Sequence, residues 1–169
     1  NMTKLAKYTS DLYRGLEEET GQATGYRQCG SISIAATEER FHELKRSASM
    51  AKVFDLDVKV VSAEEIEERY ALINTDDLYG GIYIPSDDYA NAVDITQALA
   101  KGARTGGAQI FQDHKVTAIL NDGVSVTGVR TDAGDIAAKY VVICAGMWSR
   151  DLAASVGVNI PLHACEHYY

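Results

Sequence analysis

Tyr140-Val141-Val142-Ile143-Cys144-Ala145-Gly146 runs without a charged side chain and closes on two small residues. A half-buried strand alternates apolar and polar side chains; this run does not, so both of its faces are expected to be covered, as in a central parallel strand. Small residues at the carboxyl end of such a strand let a ligand's phosphate or ribose approach backbone that a larger side chain would block. A helix beginning there would add free N–H groups and a partial positive charge, which suit an anion. Small residues after a buried strand also serve plain packing in most α/β proteins, so the order of the surrounding elements has to carry the reading.

On the carboxyl side, Trp148, Leu152 and Val156 fall on one face of a short helix that Gly157 stops, and a strand is expected from Ile160. On the amino side, Lys115–Leu120, Val124–Arg130 and Asp135–Lys139 are joined by Asn121-Asp122-Gly123 and Asp132-Ala133-Gly134. Those are turns of the kind that link antiparallel neighbours, so a β-meander is expected. Ala108–Phe111 is a short apolar strand directly after a helix over Asn91–Arg104 that Gly106-Gly107 ends, the second half of a helix-to-parallel-strand crossover.

Upstream, Thr3–Thr20 places Leu5, Tyr8, Leu12 and Leu16 on one helical face, with Gly21 as the stop. Tyr26–Ala35 alternates, Ile32 and Ile34 opposite Ser31 and Ser33. Thr37 can cap a helix with Glu38 and Glu39 in its first turn and Phe41, Leu44, Ala48 and Ala51 on one face. Asp57–Val61 is a short strand, Ser62-Ala63-Glu64-Glu65 a capping box opening a helix to Tyr70, and Gly80–Ile84 a strand stopped by Pro85. The fold class is therefore mixed α/β: a partial parallel sheet with a meander, plus part of an antiparallel-sheet domain.

The 169 residues are 46% hydrophobic, ample for a core. Lys and Arg total 16 against 24 Asp and Glu, a net charge of −8, with no basic run longer than Lys45-Arg46. A nucleic-acid partner is not expected. No apolar run approaches the roughly 18 residues that cross a bilayer, so no membrane is expected either. Cys29, Cys144 and Cys165 are far apart and odd in number, which favours a reducing compartment, cytoplasm or mitochondrial matrix. No metal is expected at His42, His114, His163 or His167. The chain starts at Asn1 rather than Met and stops inside an expected strand, so both ends read as interior positions of a longer protein.

The ordered set Leu16–Gly21, Gln28–Ile32, Thr96–Arg104, Val126–Thr131, Val142–Trp148 and Pro161–Tyr169 resembles the glycine-oxidase and D-amino-acid-oxidase class of FAD-dependent oxidoreductases, most closely its dimethylglycine and sarcosine dehydrogenase branch. The resemblance covers nearly the whole chain. It implies oxidation of the C–N bond of a small N-methyl amino acid, the other readings being another small amine substrate or a non-catalytic α/β interaction module. It also implies that FAD meets the backbone of Val116, the Ala145-Gly146 turn and the helix opening at Met147-Trp148. His167 and Tyr169, alternating on one face near the flavin, are the expected catalytic pair: a His can take the proton of an ammonium substrate and a Tyr hydroxyl can hold its carboxylate. His163, His42 and His114 are read as structural or solvated.

Residues 1–25 and 91–159 are assigned to a partial FAD-binding domain, 26–90 and 160–169 to a partial substrate domain. The Gly-x-Gly-x-x-Gly turn that would hold the FAD pyrophosphate is not in this sequence. The chain alone is therefore expected to bind FAD poorly and to be inactive without the remainder of its own protein. The open edge of its partial parallel sheet is expected to favour a dimer.

Overall fold

A computed structural model describes residues 2–166. The mixed α/β class holds, and the chain separates into two compact units, one up to Gln109 and one from Ile110. This division by compactness differs from the assignment to parent domains made above and does not bear on it. Every ladder among the described residues is antiparallel.

In the first unit, α1 (Met2–Thr20) ends where expected, at Gly21 with φ +63°. Leu16 is buried against Ile95 and Ala98 of α4 (Ala92–Thr105), but Leu5 and Tyr8 are exposed, against the sequence reading. The one fully buried side chain of α1, Leu16, lies in its carboxyl half, while the amino half makes polar contacts such as Ser10 Oγ to the Asp88 carboxylate. Glu17 fastens that half, accepting the N–H of fully buried Thr24 at 3.1 Å, and Asn91 caps α4 through the N–H groups of Val93 and Asp94.

The expected strand Tyr26–Ala35 is two: β1 (Arg27–Gln28) and β2 (Ser31–Ala35). Gly30 breaks it, with φ +75° and its N–H given to Asp87 O at 2.9 Å. Next come α2 (Glu38–Ala51), capped by the Thr37 hydroxyl, then β3 (Lys59–Val61), α3 (Ala63–Arg69), β4 (Gly80–Ile84) and β5 (Asp88–Tyr89). The capping box of α3 is complete: Ser62 N–H donates to Glu65 Oε2 at 2.8 Å, and Glu65 N–H donates back to Ser62 Oγ at 3.2 Å. The sheet order is β2-β4-β3, with Ala35 opposite Gly80 and Val61 opposite Gly81. On one face Leu44 and Ala48 of α2 bury Ala35 and Ile82. On the other, Ile66 of α3 reaches Gly81, where a Cβ would stand 3.2 Å from Ile66 Cδ1 and collide with Ser33 O.

The second unit holds the expected meander: β6 (Val116–Asn121), β7 (Val126–Thr131) and β8 (Gly134–Ala137), in that order. Asp122 closes the first turn by accepting the N–H groups of Ser125 and Val124, which hold its carboxyl below the usual carboxylate range. Gly128 suits its place because a Cβ there would collide with Ile136 O across the ladder. A turn of 3-10 helix (Gly146–Trp148) leads into α5 (Ser149–Ala154), whose Ser149 and Ala153 are buried.

The parallel part of the sheet is not formed. Neither Ala108–Phe111 nor Tyr140–Cys144 enters a ladder, and Tyr140 and Val142 are 80% and 83% exposed instead of covered. A strand exists only as one member of a hydrogen-bonded pair, and the strands of the meander are paired with one another. The residues from Ile160 to Glu166 likewise form no strand.

Candidate functional site

The carboxyl end of the apolar run stands against a hollow of about 430 Å³ in the second unit. Val116 at the start of β6, Val129 of β7 and Ala138 just after β8 line one side; Tyr140 to Ala145 line another, and Leu152 of α5 completes it. Local structure explains the placement. Lys115 N–H donates to the Asp132 carboxylate and Asp132 N–H donates to Lys115 O, both at 3.1 Å, closing the meander at the Val116 end. Ala138 N–H donates to Thr127 O at 3.0 Å, so the chain leaves β8 along the rim of the meander before turning at Ala145-Gly146. Trp148 N–H donates to Ala145 O at 3.1 Å and fixes that turn.

Of the residues singled out in the sequence, Val116 and Ala145 are brought to this hollow together. Gly146 follows directly, with φ +54° and nothing within 4 Å of a Cβ built on it, so the space over it is open. Met147 and Trp148 lie in the 3-10 turn and face solvent, Trp148 at 72% exposure. The α-helix opens at Ser149, later than expected, and has only 6 residues, so the sequence-based idea of a helix N-terminus at Met147-Trp148 is corrected. Val129 and Ala138 were missed. The alternation of β7 was the available signal for Val129, since it puts Val129 on one face with Thr127 and Thr131.

Among the described residues no charged side chain lines the hollow. Its apolar walls and small rim suit a planar base and the ribose beside it, whereas the diphosphate of a dinucleotide finds no cation or glycine-rich turn in it. The residues present therefore fit the nucleoside end of FAD.

His167 and Tyr169 lie outside the described residues. His163 is exposed. His42 faces Glu38 at 3.5 Å in solvent, and His114 Nδ1 lies 2.6 Å from Gln112 O beside the Phe111 ring. Both are accounted for locally. No helix among the described residues is long and apolar enough to cross a membrane.

Comparison with known proteins fits this geometry into a family. The profile described as FAD dependent oxidoreductase matches residues 1–169. The chain belongs to that family of flavin-dependent oxidoreductases. It is 42% identical over 168 residues to the mitochondrial pyruvate dehydrogenase phosphatase regulatory subunit of Mus musculus, covering 98% of this chain and 19% of that protein. It is 39% identical over 170 residues to the mitochondrial sarcosine dehydrogenase of Homo sapiens, covering 98% of this chain and 18% of that protein. The crystal structure of glycine oxidase from Geobacillus kaustophilus superimposes with a TM-score of 0.80 at 31% identity, over 92% of this chain and 43% of that one. The chain thus spans about a fifth of the length of these curated relatives.

Proposed function

We propose that the protein carrying this chain oxidises the C–N bond of a small N-methyl amino acid. FAD would accept the hydride equivalent, and water would hydrolyse the resulting imine to formaldehyde and the demethylated amine. In this reading the backbone of Val116 and the Ala145-Gly146 turn flank the nucleoside end, with Met147 and Trp148 beside it. His167 takes the ammonium proton so that the amine lone pair is free, and Tyr169 donates its hydroxyl to the substrate carboxylate. The phosphates are held by parts of the protein other than the residues described above, so the 169-residue chain alone binds FAD weakly. The observation that carries this reading is the convergence of Val116 and Ala145 on one apolar hollow in a chain that matches the flavoprotein family over its whole length. It is tested by purifying the complete protein, measuring bound flavin, and assaying formaldehyde released from sarcosine and dimethylglycine with an artificial electron acceptor. Flavin with formaldehyde release is expected; a flavin-free protein that releases none would end the reading.

A second reading has its own support, in the 42% identity to a protein named as a regulatory subunit. In that case the fold serves association with another protein and not turnover. The same assay separates the two, since a regulatory member would release no formaldehyde from either amine whether or not it holds flavin.

A further inference from the structure

The sheet β2-β4-β3 is covered unequally. On the face opposite α2, the helix α3 covers Gly81 through Ile66 and leaves Ile32, Ile34 and Tyr83 beside an open groove of about 450 Å³. That volume lies within the roughly 300–1,000 Å³ of small-molecule sites. A Cβ at Gly30 would stand 2.6 Å from Tyr83 Cε2, so the ring lies directly on the Gly30 backbone, and the Arg69 guanidinium sits 5.2 Å from the ring centroid.

The charge at this groove runs against that of the whole chain. Asp and Glu outnumber Lys and Arg by 24 to 16, and the groove between α1 and β4 is lined by Asp11, Asp55, Asp57 and Asp87 together with Lys7 and Arg14. Among the described residues no Asp or Glu lines the groove beside Tyr83, and Arg69 is the one charged residue that does. Arg69 Nη1 donates to Glu65 O at 2.7 Å, a bond that serves the last turn of α3. A guanidinium has five N–H donors, and among the described residues Arg69 has no carboxylate partner. A slot walled by isoleucines and Tyr83 and lined by a planar guanidinium without a carboxylate partner complements a ligand with an apolar body and one carboxylate.

We propose that the groove formed by Ile32, Ile34, Ile73, Tyr83 and Arg69 binds a small apolar carboxylate, its hydrocarbon part lying against the isoleucines and Tyr83 and its carboxylate accepting from the Arg69 guanidinium. The proposal is independent of the flavin reading, because the groove lies wholly within the first unit. The test is equilibrium binding of phenylacetate, and of its uncharged analogue phenylacetamide, to the full chain and to three variants whose circular dichroism matches it. Arg69→Gln should weaken phenylacetate about tenfold, the worth of one charge-assisted hydrogen bond, and leave phenylacetamide unchanged. Arg69→Lys should restore part of the loss, and Ile34→Trp, which fills the slot, should weaken both compounds. Absence of saturable phenylacetate binding, equal affinity in Arg69→Gln, or indifference to Ile34→Trp would each overturn the proposal.

Discussion

The β2-β4-β3 sheet and the Tyr140–Cys144 run are comparably apolar, and the fold treats them in opposite ways. Val61 and Ile82 are 2% and 6% exposed because α2 and α3 close over the sheet, each on one face. Tyr140 and Val142 face solvent because no described strand pairs with theirs. Apolar content marks a segment as needing cover; whether it is buried depends on which other segments supply the hydrogen-bonded edge and the packing face.

The sharpest way to break this comparison is a pair of truncations. Ile66→Ala, at a site 1% exposed, should cost about 2–5 kcal/mol in denaturant unfolding. Val142→Ala should stay within about 0.5 kcal/mol. Equal losses would mean that the exposed run is packed after all. Gly128→Ala is next in size: its Cβ collides with Ile136 O, so the β7-β8 ladder has to open, at about 1–3 kcal/mol. Retention of the wild-type melting curve would show that the ladder is looser than described.

Much of the first unit was legible in the residues themselves. Thr37 and Ser62 announce helix starts by chemistry local to one turn, and both cap as expected; Asn91, read only as the start of its helix, caps α4 as well. The meander was legible for the same reason, since its two turns are encoded within the segments they join. What periodicity could not supply was the extent of cover. Leu5 and Tyr8 carry the helical spacing of a buried face but lie beyond the reach of α4, and Ile32 and Ile34 alternate like a buried strand face but line an open groove. At the candidate site, the family pattern singled out Val116 and the small turn, and Val116 and Ala145 line one hollow. The exposure of Trp148 was not legible, because a 3-10 turn and a helix start share the same residues on paper.

Two smaller tests sharpen the contrast. The uncovered run should drive self-association, read as a dimer or larger species in size exclusion with light scattering, and Val142→Lys should shift it toward monomer. A clean monomer for the unaltered chain would contradict that expectation. The smallest effect is acid sensitivity of the meander. Arg130, hydrogen-bonded to Asp135 at 2.9 Å and 3.1 Å, lowers the Asp135 carboxyl below its usual range. A group lowered on folding contributes stability that is present above its unfolded value, about 3.9 for Asp, and lost as pH falls through the folded value. Asp135→Asn should therefore flatten the loss of stability in acid; an unchanged acid slope would assign that loss to other groups.

The most direct test of the central claim follows backbone amide exchange at Val116, Ala145 and Gly146 in the complete apoprotein as FAD is added. Slowed exchange at all three on cofactor binding is the result predicted here. Flavin bound at full occupancy, with those amides exchanging as before, would contradict the assignment of this hollow to the cofactor.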